Sequence, residues 1–466
     1  LLLVPFVTVS DWMIGDPLAG ARWAMMLFFG AALVLFNLLL ITGGVRWRWV
    51  WLVLFVLMPL QFFTRHAYVR AINPSLVFML LIMLGMLTRR FVLTALAVAG
   101  YVHLYMGGVL YAPALVSLHV AGCLIGPREE REVPWRLIGW TAAGWILGVV
   151  THPYSGGMYQ FLKLQIFGSG LTPDISVGRE WEPYEDVWWF AQMSGVVLTV
   201  WAIAVCVRLR SGPRIDRIDL TLLLAHFLFF TLTLKARRFV EYWPIFCLLS
   251  AAFLAAPSIN AWAQRCDAFL DAGRAGRANR FRVGGAVVLL LVTGVIVYAT
   301  PPWHHIRESA QCGYDLPAVR KVMTFLKDNS DPGDVVFTDD WDIFPVFFYY
   351  NSHNHYIVGL DPKFTQFRRP RLWERYVRIT RGQTPAYLGV KVRDKAGEEQ
   401  TEKIHIKLDD IRGHFGARFV ITDRDHKPFA AKLVGRPDLA ELLYPSDSYE
   451  DARDGPYLIF RIHRAE

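Results

Sequence analysis

The sequence predicts a polytopic α-helical membrane domain joined to a soluble α/β domain. Residues 1–300 hold about ten apolar stretches of spanning length, since a span needs about 20 mostly apolar residues. Residues 301–466 hold none, and there short buried runs alternate with amphipathic ones. We therefore expect a transmembrane domain over 1–300 and an extracytoplasmic α/β domain over 301–466.

The apolar runs of the first 300 residues define the expected spans. One large soluble helical core is the alternative, but an uncharged run such as 284–300 is unsuited to water. Only Gly107 and Gly108 divide the fourth run from the fifth, and several runs are short enough to require tilting or local bilayer thinning. The predicted spans are 22–42, 47–63, 74–88, 91–106, 108–125, 136–152, 187–208, 218–235, 240–257 and 283–300.

Arginine placement predicts the orientation of these spans. One set of alternate loops is richer in arginine than the opposite set, so it is expected to face the cytoplasm. The N-terminus and residues 301–466 then lie outside, and the protein is expected in the bacterial cytoplasmic (inner) membrane. The net charge of +9 mostly reflects this bias and does not indicate a nucleic-acid partner, because the arginines are spread over separate loops.

Cysteine usage and the start of the chain add two expectations. Among the five cysteines only Cys312 is expected outside, so the soluble domain cannot close its own disulfide, and no spacing suggests zinc. The chain starts with Leu1, and its first residues do not form a convincing signal peptide. Because a cytoplasmic N-terminus would require an odd number of further spans, we expect at least one span and its outer loop upstream.

The C-terminal part predicts a small α/β domain with a partly parallel sheet, because strands and helices alternate. A polar linker at 301–314 leads into it, and the charged stretch 391–403 is expected to be a hairpin or a mobile loop. The expected helices are 315–329, 341–350, one ending at 411–415, and 428–433, and the expected strands are 334–338, 355–359, 418–422 and 457–463.

Arg65 and Arg70 form the first candidate cluster, in a loop predicted to be outside. Cations there run against the positive-inside bias, and guanidinium groups bind phosphate or pyrophosphate by charge-assisted hydrogen bonds. Snorkelling of both side chains to lipid headgroups remains the alternative.

His152 and Tyr154 form a second candidate cluster at the outer end of a span. Pro153 ends the helix, and the glycines that follow allow close backbone approach of a substrate. An ordinary helix end with an interfacial histidine is the alternative.

The stretch from Arg179 to Asp186 packs four carboxylates and two aromatic rings into eight residues. Aromatic faces suit sugar rings, and carboxylates suit hydroxyl groups or a divalent cation. The candidate substrate-binding residues are Glu180, Trp181, Glu182 and Tyr184. The alternative is a solvated loop anchored by its tryptophans at the membrane interface.

Arg237 and Arg238 lie in a third predicted outer loop, directly before an apolar span. Cations at such a place are costly unless paired. Glu241 is three residues from Arg238 and could pair with it on one helix face. The functional interpretation is a clamp on a lipid phosphate.

Asp340, Trp341 and Asp342 follow a predicted strand, where α/β sheets commonly place ligand-binding loops. Capping of a helix starting at Trp341 would explain Asp339 or Asp340, but not all the carboxylates. The loop 359–362 ends the next strand in the same way and could converge with this one.

The layout resembles the GT-C superfamily of membrane glycosyltransferases. Members such as protein O-mannosyltransferases and oligosaccharyltransferase catalytic subunits take sugars from polyprenyl-phosphate or polyprenyl-diphosphate carriers. Asp340-Trp341-Asp342 is similar to the Trp-Trp-Asp acceptor motif of oligosaccharyltransferases, with the first Trp replaced by Asp340. The other segments that carry the resemblance are Asn73-Pro74, Gly148 to Tyr154, Glu180 to Tyr184, and Arg237 to Tyr242.

The resemblance implies sugar transfer at the outer membrane face, with the donor phosphate near Arg237, Arg238, Arg65 and Arg70. It places the essential acid in a first outer loop, upstream of Leu1, so no catalytic residue is assigned. Asp11 and Asp16 are poor substitutes. The expected partners are membrane lipids, the donor, a protein or glycan acceptor and subunits of a membrane complex. Mg²⁺ or Mn²⁺ is the one cofactor left open.

Two other functions compete with transfer. The chain could be a non-catalytic structural or accessory subunit that keeps the GT-C architecture, given the Asp340 departure and the unseen acid. A transporter or flippase is the third reading, but ionisable residues cluster at span ends and not at mid-bilayer.

Overall fold

The computed structural model describes residues 4–15, 17–164, 179–211, 215–271, 315–359, 363–393, 399–423, 426–445 and 457–463. The chain divides into two compact units. One is a helical unit within residues 4–271, and the other is an α/β unit within residues 315–463. The expected linker 301–314 and the boundary at residue 300 lie outside the described residues, so the boundary stays a prediction.

Twelve α-helices make up the described part of the helical unit. They are α1 Val4–Ile14, α2 Pro17–Thr42, α3 Arg48–Val56, α4 Leu60–Ala67, α5 Ile72–Leu87, α6 Phe91–Leu104, α7 Gly108–Ile125, α8 Trp135–Thr151, α9 Ser155–Lys163, α10 Val187–Ser211, α11 Arg217–Lys235 and α12 Trp243–Asp271. Short 3-10 turns add Arg128–Glu130, Arg179–Trp181 and Arg237–Glu241.

Four of these helices are long and apolar enough to cross a membrane, which are α2, α7, α11 and α12. The count rises to five if the bent pair α3 and α4 forms one span. Helices α5 and α6 are apolar but shorter, and the expected span 283–300 lies outside the described residues. The structure therefore contains a membrane-type helical domain, while the number of ten spans stays a prediction.

The segment expected as a span at 47–63 is bent in the structure. Helices α3 and α4 meet at an angle of 77°. Pro59 precedes α4 and has no N–H to donate, so the helical hydrogen bonds cannot continue through it. The bend sends α4 in a new direction, with Arg65 in its last turn.

Small residues let α6 and α8 pack closely. A Cβ added at Gly144 would lie 2.2 Å from the carbonyl oxygen of Ala95, and one at Gly148 would lie 2.9 Å from Cβ of Val102. Glycines four residues apart share one helix face, and such pairs allow close backbone approach between membrane helices. The contact positions the end of α8, where His152 lies.

The α/β unit contains a five-stranded sheet in the order β2-β1-β5-β7-β6 and a separate β3–β4 hairpin. Strands β2 and β5 pair with β1 in parallel, whereas β7 is antiparallel to β5 and β6. The elements are α13 Leu316–Asp328, β1 Val335–Thr338, α14 Phe344–Tyr350, β2 His355–Tyr356, α15 Lys363–Arg368, α16 Pro370–Thr380, β3 Ala386–Arg393, β4 Glu399–Ile406, α17 Asp410–Gly413, β5 Phe419–Asp423, α18 Lys427–Val434, β6 Ala440–Tyr444 and β7 Tyr457–Ile462.

These elements confirm the expected α/β class and its partly parallel sheet. Within the charged stretch 391–403, residues 391–393 pair with residues 399–401 in the β3–β4 hairpin, which is one of the two expected alternatives, and residues 394–398 lie outside the described residues. The helix expected at Trp341 is wrong at its start: α14 begins at Phe344 and Ile343 precedes it without a side-chain cap. The aspartates at 339 and 340 therefore do not cap a helix there.

Glycine 144 gives a test of the helix packing. We expect Gly144→Ala to lower the melting temperature of the detergent-solubilised protein, because forcing a methyl group into a filled contact costs about 1–3 kcal/mol. Gly139→Ala is the matched control on the same helix, since a Cβ there meets nothing within 4 Å. Equal melting temperatures for the two variants would contradict the α6–α8 contact.

Candidate functional site

Three segments distant in sequence meet in the helical unit. The end of α4 contacts the 3-10 turn Arg237–Glu241, which also contacts the turn Arg179–Trp181. All three belong to loops that the arginine pattern predicted on one side of the membrane. Their charged residues form what we call the arginine–glutamate cluster, which consists of Arg65, Arg70, Glu180, Arg238 and Glu241.

Glu180 is the centre of this cluster. Its Oε2 accepts hydrogen bonds from Arg65 at 2.6 Å and from Arg70 at 2.9 Å, and its Oε1 lies 3.7 Å from Nη1 of Arg238. Burial alone would raise the pKa of Glu180, but the charges of Arg238, Arg65 and Arg70 outweigh it and lower this pKa to about 2. The carboxylate is therefore ionised at any physiological pH.

Arg65 joins two carboxylates. Its Nε donates to Oε1 of Glu241 at 2.7 Å, while its Nη1 bonds Glu180. The Glu241 side chain is only 1% exposed, so its charge needs this partner. Snorkelling, the alternative for Arg65, is wrong because its side chain is mostly buried against protein carboxylates. Arg70 is half exposed.

Arg238 stacks on an aromatic ring. Its guanidinium carbon lies 4.1 Å from the centre of the Trp181 ring, within the range of a cation–π contact. The side-chain hydrogen bonds to Glu241 come from Arg65, 176 residues away in sequence, whereas Arg238 acts on Glu241 through its charge. The turn is a single 3-10 segment and not a helix face, so Glu241 points inward toward α4.

Arg237 has a different role from its neighbour. Its Nε donates to the carbonyl of Pro183 at 3.0 Å, and its Nη2 donates to Glu185 at 2.9 Å. Its backbone N–H donates to the carbonyl of Glu182 at 3.1 Å. Tyr184 is buried beneath it and donates to Gln61 at 2.8 Å. Arg237 thus fastens the 182–185 loop to the turn that carries Arg238.

A layer of buried polar side chains supports the cluster from below. His66 pairs through Nδ1 with Asn73 and donates through Nε2 to the carbonyl of Glu241 at 3.0 Å. Asn73 in turn donates to the carbonyl of His66 at 2.8 Å. Sequence reasoning did not single out His66 or its hydrogen bonds to Asn73, although both residues lie in the segments it examined.

The cluster carries an excess of positive charge. Three guanidinium groups face two carboxylates, which leaves a net charge of +1. Arg70 is the most exposed of the three cations. Convergent arginines of this kind are suited to a phosphate or another oxyanion, which can accept several hydrogen bonds at once.

The other predicted site residues lie elsewhere. His152 is buried beside His103, with ring centres 5.5 Å apart, and accepts a hydrogen bond from the backbone N–H of Tyr154. Asp340, Trp341 and Asp342 belong to the α/β unit, where the backbone N–H of Asp342 donates to Asp340 at 2.8 Å. Residues 360–362 of the second loop lie outside the described residues.

For the carboxylates of the 180–186 stretch, the sequence left open contacts with sugar hydroxyl groups or with a divalent cation such as Mg²⁺ or Mn²⁺. Glu180 and Glu185 instead bind arginines. Among the described residues, the group that could hold a metal ion is Asp339, Asp423 and His426 in the α/β unit.

The electrostatics of this group are those of a mutually paired cluster. Burial raises the pKa of Asp339 to about 7, and the hydrogen bond to Asp423 raises the pKa of His426 to about 9. Sequence reasoning named Asp339 but missed Asp423 and His426. Their position in the sequence could have identified them: Asp423 ends strand β5 and His426 follows it, and β5 lies beside β1 in parallel.

Neither a protein-family model nor a curated protein sequence matches the chain. The structure is nevertheless similar to solved structures of the oligosaccharyltransferase AglB from Archaeoglobus fulgidus. The complex with an inhibitory peptide and a dolichol-phosphate matches with a TM-score of 0.56 at 12% identity, over 100% of this chain and 66% of that one.

Two further structures of the Archaeoglobus enzyme match in the same way. One is tethered to an acceptor peptide containing the NVT sequon, with a TM-score of 0.53, 12% identity, and coverage of 100% of this chain and 65% of that one. The other is a complex with Zn and sulfate, with a TM-score of 0.53, 12% identity, and coverage of 97% and 65%.

These matches show that the chain shares the fold of this oligosaccharyltransferase, as the sequence resemblance implied. The identity is too low to establish more than the fold. The chain spans 65–66% of the length of the Archaeoglobus chains described above.

The buried ion pairs give a prediction about stability. We expect Arg65→Met to lower the melting temperature strongly, because leaving the Glu241 charge buried without its partner costs about 3–5 kcal/mol. Arg70→Met is the matched control: Arg70 contacts the same Glu180, but its side chain is 51% exposed, and exposed pairs contribute about 1 kcal/mol or less. Equal melting for both variants would mean that Arg65 does not hold the turns together.

Proposed function

We propose that the protein transfers a sugar from a polyprenyl-phosphate-linked donor to a protein or glycan acceptor at the outer face of the bacterial cytoplasmic membrane. The observation that carries the proposal is the convergence of Arg65, Arg70 and Arg238 on one carboxylate at the ends of apolar helices. The fold supports it, since a similar protein has been solved with a dolichol-phosphate.

The donor phosphate would bind where Glu180 now accepts hydrogen bonds. Nη1 of Arg238 lies 3.7 Å from Oε1 of Glu180, which is too far for a hydrogen bond. Arg70 is half exposed. A phosphate offers more acceptor oxygens and more charge than a carboxylate, so it can take over these two arginines. Arg65 would remain on Glu241, which holds it by two nitrogens.

The chemistry follows from where charge develops. The acceptor hydroxyl or amide attacks the anomeric carbon while the bond to the phosphate oxygen breaks, and the leaving phosphate gains negative charge. Arg238 and Arg70 would stabilise that charge in a site shielded from water. The preformed phosphosugar bond supplies the energy, so no nucleotide is needed. Trp181, stacked under Arg238, would offer a ring face to the sugar.

The α/β unit would contribute to acceptor binding. Asp340, Trp341 and Asp342 follow β1 at the carboxyl edge of the sheet, which is the usual position of ligand loops in such sheets. Another structure similar to this one contains a tethered acceptor peptide. His152 and Tyr154 stay candidates for a second substrate contact, through the exposed ring of Tyr154.

Arg238 gives the first test of the donor site. We expect Arg238→Ala to reduce transfer from a polyprenyl-phosphate sugar by about 10²–10³-fold, the usual effect of losing one donor to a developing oxyanion. Arg210→Ala, an exposed arginine at the end of α10, is the control and should retain activity. Wild-type turnover in Arg238→Ala, with the melting temperature unchanged, would refute the phosphate assignment. A wild-type protein that transfers no sugar would favour the non-catalytic subunit.

Glu180 gives a test with the opposite sign. We expect Glu180→Gln to bind polyprenyl phosphate about 10-fold more tightly, equivalent to about 1.4 kcal/mol, because a neutral amide competes less for the arginines. Glu185→Gln in the same loop is the control. The ratio of the two affinities should stay constant between pH 5 and pH 8, because Glu180 has a pKa of about 2 and remains ionised. Weaker binding by Glu180→Gln would mean that Glu180 only supports the fold.

The β3–β4 hairpin gives a test of orientation. We expect protease added outside spheroplasts to cleave within residues 391–403, because the arginine pattern places the α/β unit outside the cytoplasm. Cleavage that occurs only after lysis would invert the orientation and exclude a donor site on the outer face.

A further inference from the structure

We propose that Asp339, Asp423 and His426 form a binding site for a divalent transition-metal ion, with zinc as the best fit, in the α/β unit. The site lies where two neighbouring parallel strands end. Thr338 is the last residue of β1 and Asp423 the last of β5, and Thr338 pairs with Ile421 in the sheet. The carboxyl ends of parallel strands share one edge, so Asp339 and Asp423 meet there.

The turn after β5 adds the third ligand. His426 precedes α18, and its backbone N–H donates to Asp423 at 3.2 Å, which holds the imidazole over the strand end. Its Nδ1 lies 2.8 Å from Oδ1 of Asp423 and 3.3 Å from Oδ2 of Asp339. The three ligand atoms all lie within 4.8 Å of one another. Ligands about 2.0–2.2 Å from one zinc ion in tetrahedral geometry are separated by roughly 3.3 Å, so small side-chain shifts suffice.

In this group two carboxylates face one imidazole ring. Nδ1 of His426 carries one hydrogen, but two carboxylate oxygens face it. Asp340 adds a further negative charge that acts on His426. The Asp339 side chain is 5% exposed, and a buried carboxylate is costly unless a cation compensates it. A dication in place of the shared hydrogen would neutralise both Asp339 and Asp423.

The donor set selects the kind of metal. One imidazole nitrogen with two carboxylate oxygens is a mixed nitrogen and oxygen set, which suits zinc and related transition metals. Mg²⁺ and Ca²⁺ prefer oxygen ligands alone and more of them. Three protein ligands also leave a fourth position for water, so the site would be open on one side.

The metal would fix a loop that matters for the proposed function, and this role rests on that proposal. Asp339 directly precedes the stretch Asp340 to Asp342, which we assign to acceptor binding. One ion would tie this stretch to the end of β5 and to the start of α18. Asp339 and His426 would be positioning residues, since neither is proposed to touch the acceptor.

The test is metal binding by the full-length protein in detergent after treatment with a chelator. Cobalt(II) serves as the spectroscopic probe, and zinc as its competitor. We expect saturable visible absorption of the bound cobalt, displaced by zinc, and a loss of affinity of at least about 100-fold in His426→Ala. His463→Ala, a partly exposed histidine after β7, should bind cobalt like the wild type.

A second variant separates the loss of metal binding from a loss of folding. Asp423→Asn keeps the side-chain shape, and we expect it to melt near the wild-type temperature without metal but to lose the rise in melting temperature that zinc produces in the wild type. Cobalt binding by His426→Ala or by Asp423→Asn equal to that of the wild type would overturn the site. So would the absence of any cobalt binding by the wild type.

The metal-site proposal and the proposed function can be tested separately. Arg238→Ala should bind cobalt like the wild type, because Arg238 belongs to the other unit. If Arg238→Ala transferred sugar like the wild type while the protein still bound cobalt, the proposed function would be refuted and the metal site would stand. If the wild-type protein transferred sugar but did not bind cobalt, the metal site would be refuted and the proposed function would stand.

Discussion

The helical unit depends on one constraint: buried charges must be paired where apolar helices end. Glu180 satisfies it by binding Arg65 and Arg70 and by lying close to Arg238. The hydrogen bonds of Glu180 with Arg65 and Arg70 join segments more than 100 residues apart in the chain. In the proposed function the same constraint sets the chemistry of the cluster, because Arg238 lies 3.7 Å from Glu180 and Arg70 is half exposed, so both could bind a phosphate instead.

The rest of the helical unit positions this cluster. The 77° bend before α4 brings Arg65 to the turns, and Arg237 fastens the 182–185 loop beside it. Burial of Glu241 keeps Arg65 in place, while His66 holds the backbone of Glu241 from below. The firm contacts on Arg65 and the loose ones on Arg238 and Arg70 divide the cluster into a structural half and an exchangeable half.

Sequence periodicity predicted the elements well where local pattern decides them. Helix α13 and strands β1, β5 and β7 fell within a residue or two of their expected bounds, because each has a clear apolar period. Helix α16 was missed, since its many arginines hid its apolar stripe. The arginines and Glu180 were all named as candidates. The resemblance placed these arginines around one phosphate. Their ion pairs with Glu180 and the partner of Glu241 were not predicted, because both depend on contacts that local sequence does not encode.

The central claim is that a donor phosphate replaces Glu180 on the exchangeable arginines. A structure of the protein with bound polyprenyl phosphate tests it most directly. The account predicts phosphate density within hydrogen-bonding distance of Arg238 and Arg70, with the Glu180 side chain moved away and Arg65 still bound to Glu241. Phosphate density at another place, with Glu180 still bound to Arg65 and Arg70, would contradict it.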